Sequence, residues 1–148
     1  SMRVRDAMTS DPTCCTPDTP IQDVARMMVS RDCGAIPVVG DLVGRRPIGM
    51  VTDRDIVTRT IAAGRDPMAL TARDCMTTPA VTITESTRLH ECVEMLELSQ
   101  IRRAIVVGTS GSCVGIIAQA DIARHASKRE TGDLVREVSK PSVPVFVS

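Results

Sequence analysis

The sequence predicts an α+β fold in which two β-α-β-β-α repeats pack with pseudo-two-fold symmetry. The first observation is an internal repeat, because a shift of 68 positions places residues 4–40 on residues 72–108 without a gap. The second is that the shift falls to 66 after a loop, so that Gly49 and Asp55 fall on Gly115 and Asp121. The third is size, since a single repeat is too small to bury its own sheet and two must share a core. We therefore place the repeats at residues 4–66 and 72–128, followed by a C-terminal extension at 129–148.

Each repeat carries the same predicted elements in the same order. An Arg-Asp-x-Met lead-in precedes a short strand, at 13–16 in the first copy and 81–84 in the second. Thr19-Pro20-Ile21-Gln22 predicts a helix that begins with a Thr cap, and apolar residues then recur at helical spacing. Two strands follow, predicted at 36–39 and 48–51 and again at 104–107 and 114–117. The closing helices start near Asp53 and Gln119, and the first is predicted to end at Gly64.

Composition excludes several classes of function. The chain has 18 basic and 18 acidic residues and a single aromatic residue, Phe146, so it lacks both the basic surface and the stacking side chains of a nucleic-acid binder. No apolar run approaches the length of a membrane span, and no secretory signal pattern is present. We expect a cytoplasmic protein that binds neither nucleic acid nor membrane.

The six cysteines predict no zinc site and no disulfide framework. None forms a Cys-x-x-Cys pair, and His90 and His125 are the only histidines that could complete a metal site. Small buried side chains in a reducing compartment are the expected role for most of them. The vicinal pair Cys14 and Cys15 leaves a redox or soft-metal role open.

The stretch from Gly49 to Val57 is the strongest functional signal. An apolar strand ends at Thr52 and runs directly into a helix that carries Asp55 in its first turn. Unpaired backbone N–H groups at such a junction attract anions, so that a hydroxyl and a carboxylate there can hold phosphate and sugar. The second copy keeps the carboxylate as Asp121 and has Ala118 in place of the hydroxyl. An acid in a first helical turn is also favoured by the helix dipole alone, and Thr52 can act as a simple cap.

The repeated G-h-h-T-x-x-D ending (h, apolar), the upstream Ile-Pro-Val-Val strand and the Arg-Asp-x-Met lead-ins resemble the tandem CBS domain pair, or Bateman module. The likeness covers residues 4–128, and the chain is similar to small stand-alone bacterial proteins of this family. The resemblance implies two CBS repeats, a regulatory rather than catalytic role, and adenosine-containing ligands such as AMP, ADP, ATP, NAD or S-adenosylmethionine. No cofactor is expected to be required.

The resemblance also implies roles for particular residues. Asp55 and Asp121 would accept hydrogen bonds from ribose hydroxyls, and Thr52 and Arg54 would contact phosphate. Thr16 and Thr84 would lie near the adenine edge. The remaining implied ligand contacts are the apolar wall Ile36, Pro37 and Val38 and the basic pair Arg102 and Arg103.

Two other functions stay open at this point. One is a dimerisation or interaction module whose clefts are empty, a reading that the loss of the hydroxyl at position 118 favours for one cleft. The other is an enzyme or redox protein, although the sequence shows no catalytic triad, P-loop or Rossmann fingerprint. In the leading interpretation the protein acts as a homodimer that regulates an unidentified partner protein.

Overall fold

The computed structural model describes residues 1–138, with side chains through Arg129. The first repeat comprises α1 (Val4–Ala7), β1 (Thr9–Ser10), α2 (Ile21–Arg31), β2 (Ala35–Val39), β3 (Pro47–Thr52) and α3 (Asp53–Ile56), which continues into a π-helical turn at Val57–Ile61. A 3-10 turn at Pro67–Ala69 leads to the second repeat. That repeat comprises α4 (Ala72–Cys75), β4 (Thr82–Thr84), α5 (Leu89–Leu98), β5 (Arg103–Val107), β6 (Cys113–Ala118) and α6 (Gln119–Val138).

The two sheets have equivalent topologies. One sheet has the order β1-β6-β5-β4, in which β4 runs parallel to β5 and the other pairs are antiparallel. The other sheet is the antiparallel pair of β2 and β3. Single bridges extend it on both sides, from Cys15 to Val38 in parallel and from Met50 to Thr77 in antiparallel orientation. The α+β class and the two-repeat organisation that the sequence predicts are therefore present.

Each repeat contributes its lead-in segment to the other repeat's sheet and core. Thr9 pairs with Ile116 on β6, and Thr77 pairs with Met50 on β3. Val4, fully buried, lies in the core of the second repeat with Leu96 and Ile117. The first repeat's core in turn contains three residues from the linker and the second lead-in, which are Leu70, Ala72 and Cys75. This exchange binds the repeats together by main-chain pairing as well as by apolar burial.

The prediction of a strand at 13–16 is wrong, because within the described residues this segment pairs with β2 only through the single bridge from Cys15 to Val38. In the second repeat the N–H of Ile105 on β5 donates to the carbonyl oxygen of Val81 (2.9 Å), the residue that precedes β4. This bond extends the hydrogen bonding between β5 and the β4 segment. The first repeat has Pro37 at the equivalent position of β2, and proline has no N–H to donate. Pro37 itself pairs with Met50 within β2, which is one of the two strands of its sheet.

Two helix boundaries differ from the prediction. Helix α2 begins at Ile21, after Pro20 in an extended conformation, and Thr19 does not cap it. Thr19 and Pro20 instead pair with the second lead-in, where the carbonyl oxygen of Thr19 accepts from the N–H of Ala72 at 2.8 Å. Helix α6 runs into the predicted C-terminal extension as far as Val138. Residues 139–148 of that extension lie outside the described residues.

Candidate functional site

A cleft of about 470 Å³ lies between the repeats on the side of Asp121. Its first wall is the segment 9–13 of the first repeat, and its second is the end of α2 with the start of β2, including Gly34 and Ala35. The third wall is β6 and the first turn of α6, which bring Ile116 and Asp121 into the cleft. Its volume falls in the range that holds a small-molecule ligand. The cleft exists because β1 crosses to pair with β6.

The carboxylate of Asp121 is held in place by its own helix. Its Oδ2 accepts from the N–H of Ala118 at 3.0 Å, and its Oδ1 accepts from the guanidinium of Arg124. The side chain is 11% exposed, so it is largely shielded yet still reaches the cleft. A carboxylate has about four lone-pair positions, so acceptor capacity remains for a ligand hydroxyl.

Charged residues of both signs line this cleft. Arg31, Arg103 and Arg124 contribute three guanidinium groups, and Asp11, Asp32 and Asp121 contribute three carboxylates. A Cβ atom at Gly34 would lie 2.9 Å from Oδ2 of Asp53 and 3.4 Å from Nη2 of Arg103. Glycine at position 34 therefore leaves room for the side chains of Asp53 and of Arg103, and Arg103 lines the cleft.

A smaller pocket of about 220 Å³ adjoins the cleft and shares Thr9, Asp121 and Arg124 with it. His125 and Lys128 also line this pocket. Nε2 of His125 is buried and has no hydrogen-bond partner within the described structure.

On the first repeat, Thr52 and Asp55 satisfy each other. The Thr52 hydroxyl accepts from the N–H of Asp55 (3.1 Å), and Oδ2 of Asp55 accepts from the N–H of Thr52 (2.9 Å). Arg59, in the π-helical turn, lies 3.8 Å from Oδ1 of Asp55 and donates to the hydroxyl of Thr77 at 3.4 Å. Neither Thr52 nor Asp55 lines the 470 Å³ cleft, and Arg54 is exposed on the surface.

The other predicted site residues divide into two groups. Arg103 lines the cleft with Asp121, whereas Arg102 is exposed and its carbonyl oxygen accepts from the N–H of Gln119. The remaining predicted contacts lie outside the lining. Thr16 and Thr84 pair their hydroxyls with Thr19 and Thr87, at 3.3 and 2.6 Å. Ile36 and Val38 belong to the first repeat's core, and Pro37 is buried between them.

Sequence reasoning missed several residues that line the cleft. Thr9 follows the repeated lead-in motif, and its match with Thr77 was a usable signal. Arg31 had none, because its counterpart in the second repeat is Ser99. Arg31 reaches the cleft because its guanidinium bonds the hydroxyl of Thr13 and the carbonyl oxygen of Asp11.

Within the part of the chain that the structure describes, no three His, Cys, Asp or Glu side chains come together as a metal site. None of the helices in that part combines the length and the apolar character needed to cross a membrane.

Comparisons of the sequence with a family model and with curated proteins agree on one family. The model of the CBS domain matches residues 4–61 and 72–128. Hypoxic response protein 1 of Mycobacterium tuberculosis is 34% identical over 137 residues, which cover 93% of this chain and 94% of the relative. The CBS domain-containing protein YhcV of Bacillus subtilis is 33% identical and covers 95% of this chain and 97% of the relative.

Solved structures share the fold. The crystal structure of Hypoxic Response Protein I, with two coordinated zinc ions, superposes with a TM-score of 0.72 at 35% identity and covers 84% of this chain and 98% of its own. The structure of CBSX2 from Arabidopsis thaliana in complex with AMP has a TM-score of 0.75, with 88% and 99% of the two chains covered. At 22% identity, this second likeness shows the fold alone.

Proposed function

The chain belongs to the CBS domain family, and from this premise we propose that it is a regulatory module that binds an adenosine-containing nucleotide in the Asp121 cleft. The observation that carries the proposal is the cleft itself, where a shielded carboxylate and an arginine from the same repeat face a volume of about 470 Å³ between the repeats. The AMP bound by CBSX2, a protein of the same fold, supports the ligand class.

The cleft offers complementary chemistry to each part of a nucleotide. The Asp121 carboxylate would accept from the ribose hydroxyls, for which paired donors suit a carboxylate. Arg103 and Arg31 would contact phosphate through charge-assisted hydrogen bonds. The aliphatic side chains of Ala35 and Ile116 would flank the adenine, since the described cleft is lined without aromatic residues.

Ligand binding would change how the two repeats are arranged relative to each other. The ligand would touch walls that belong to both repeats, and it can shift their arrangement only by as much as it prefers one state. The module would catalyse no reaction of its own. A partner protein would detect the shift in arrangement. We further propose that the protein is cytoplasmic and forms a homodimer. Large apolar side chains left in solvent on α2 and α5 support the homodimer, since Val29 is 84% exposed and Leu98 is 86% exposed.

A panel of ligands tests the proposal. Nucleotide-free protein is heated with AMP, ADP, ATP, NAD or S-adenosylmethionine, with GMP and GTP as controls for the base. A ligand present at about 100 times its Kd adds about 2.7 kcal/mol to the free energy of unfolding, so a clear rise in Tm is expected with at least one adenosine compound. The absence of a shift with every adenosine compound would contradict nucleotide binding and favour the second candidate.

The second candidate is an interaction module with empty clefts. Both aspartates are already engaged by an arginine of their own helix, Asp55 by Arg59 and Asp121 by Arg124. In that case the dimer mass, measured by light scattering after gel filtration, would be unaffected by Asp121→Ala and by every nucleotide.

A further inference from the structure

Two thiols from different repeats meet between the sheets. Cys14 (8% exposed) and Cys113 (4% exposed) pack with Val39 and Ile105 in an apolar cluster to which both repeats contribute. The two side chains lie close enough for each to shift the pKa of the other. Both cysteines are in the free thiol form.

A single guanidinium lies beside this pair of thiols. Nη2 of Arg45 lies 3.3 Å from Sγ of Cys14, and the charge of Arg45 also lowers the pKa of Cys113. Arg45 is held there by three further contacts. Its Nη2 donates to the carbonyl oxygen of Pro12 (3.0 Å) and lies 3.9 Å from Asp11, and its own carbonyl oxygen accepts from the N–H of Cys113 (2.8 Å).

The two thiols differ in pKa, as expected if one attacks an oxidant and the other then completes the disulfide. Interaction with the Cys14 side chain and the charge of Arg45 lower the pKa of Cys113 to about 7, although burial opposes them. Interaction with the Cys113 side chain and burial raise the pKa of Cys14. Among the residues whose side chains are described, no guanidinium lies at hydrogen-bonding distance from the remaining buried thiols, and burial raises the pKa of Cys15 to about 11. A thiolate next to a cation is the reactive form of cysteine.

We propose that Cys14 and Cys113 are a peroxide-oxidisable pair whose disulfide cross-links the two repeats. The Cys113 thiolate attacks the peroxide O–O bond, which gives a sulfenic acid and releases hydroxide. The sulfur of Cys14 then attacks the sulfenic sulfur, loses its proton and displaces hydroxide, which leaves as water. The two thiols together lose two electrons and two protons, and one hydrogen peroxide is reduced to two molecules of water.

The disulfide would join two walls of the Asp121 cleft. Cys14 directly follows the wall segment 9–13, and Cys113 is the first residue of β6, which carries Ile116 further along. A covalent link would restrict the relative motion of these walls. This consequence for ligand affinity rests on the proposed function, whereas formation of the disulfide does not.

The test treats the full chain with hydrogen peroxide and maps disulfides by mass spectrometry without reduction. A background of Cys33→Ser removes the exposed thiol. We expect a peptide that links Cys14 to Cys113, its loss in Cys14→Ser and in Cys113→Ser, and its retention in the matched control Cys75→Ser. A linked pair of Cys14 with Cys15, or no link at all, would overturn the proposal.

The rate gives a readout that does not depend on the cysteine variants' folding. A thiol with a pKa of about 7 gains about tenfold in thiolate between pH 6 and pH 8, whereas an ordinary thiol gains about a hundredfold. Arg45, Asp11 beside it, Cys14 and Cys15 are the charged and titratable groups around this thiol. The rate should therefore rise about tenfold, and Arg45→Met should slow oxidation at pH 7. A hundredfold rise, or an unchanged rate in Arg45→Met, would contradict the role of the guanidinium.

The coupling to the cleft is measured separately, as the Kd for AMP before and after oxidation. A change of at least threefold is expected, and it should be absent in Cys113→Ser. An unchanged Kd in protein that is fully cross-linked would overturn the coupling alone, and absence of AMP binding in reduced protein would overturn the proposed function alone.

Discussion

Individual side chains make the two strand–helix junctions different. Thr52 and Asp55 form a complete reciprocal cap, in which each side chain accepts from the other residue's backbone N–H. Ala118 removes the hydroxyl from the second junction and leaves Asp121 bonded to the backbone at one oxygen. The 470 Å³ cleft lies at the junction whose cap lacks the hydroxyl bond.

Arg103 is expected to select for phosphate. Arg103→Gln should weaken AMP binding tenfold or more, since a hydrogen bond to a charged group is worth about 1.5–3 kcal/mol. Adenosine, which has no phosphate, should bind both proteins equally. Titration calorimetry with the two ligands measures the difference. Arg102→Gln is the matched control, because Arg102 is exposed beside the cleft without lining it, and an equal loss in that variant would refute the assignment.

Ala118→Thr is expected to stabilise the protein by about 1 kcal/mol, because a Thr hydroxyl at this position would accept from the N–H of Asp121 as Thr52 does for Asp55. The reciprocal change Thr52→Ala should cost a similar amount. Urea denaturation measures both. Destabilisation by Ala118→Thr would show that the second junction cannot form the same cap.

At the scale of elements, the exchanged lead-in segments determine the sheets. Gly49 on β3 and Gly115 on β6 occur at equivalent positions because a lead-in crosses each of them closely. A Cβ at Gly115 would lie 2.9 Å from the carbonyl oxygen of Thr9, and one at Gly49 would lie 2.8 Å from that of Thr77. The repeated glycines are thus a consequence of main-chain crossing.

Gly115→Ala should destabilise the fold by about 1–3 kcal/mol, because the new methyl group would force β1 away from β6. Gly40→Ala is the control, since a Cβ there has no heavy atom within 4 Å. Thermal unfolding monitored by circular dichroism compares the two variants. Equal Tm values would mean that β1 does not pack as closely as described.

Most of the element order was predictable from the sequence, because the internal repeat supplied two versions of the pattern for most strands and helices. Strand β1 was not predicted, because it forms only through its pairing with β6. The absence of a strand at 13–16 was not predictable either, because it depends on Pro37 in a neighbouring strand and no local pattern at 13–16 reports it. The site was predictable in part for a similar reason. Asp121 was found by matching the second repeat to the first and Arg103 through the family resemblance, whereas Arg31 and Gly34 enter the cleft only through tertiary packing.

The molecule is built from two similar halves that exchange core residues. The first repeat's core includes Leu70, Ala72 and Cys75 from beyond its own boundary, and the second repeat's core includes Val4 from the opposite end of the chain. Neither half therefore has a complete core of its own.

We accordingly expect a single unfolding transition for the full chain in urea, followed by circular dichroism and by exposure of the buried thiols. A fragment of residues 1–66 should be unfolded, because it lacks the three core residues of the linker and second lead-in. Two resolved transitions, or a folded fragment, would show that the exchange contributes little to stability.

Titration calorimetry of AMP into nucleotide-free protein tests whether a nucleotide binds beside Asp121. The protein is compared with Asp121→Ala and with Asp55→Ala, which removes the equivalent carboxylate from the other repeat. We expect Asp121→Ala to abolish binding at the cleft and Asp55→Ala to leave this affinity within about twofold, because Asp55 does not line the cleft. Unchanged binding in Asp121→Ala, or loss of all binding in Asp55→Ala, would contradict this expectation.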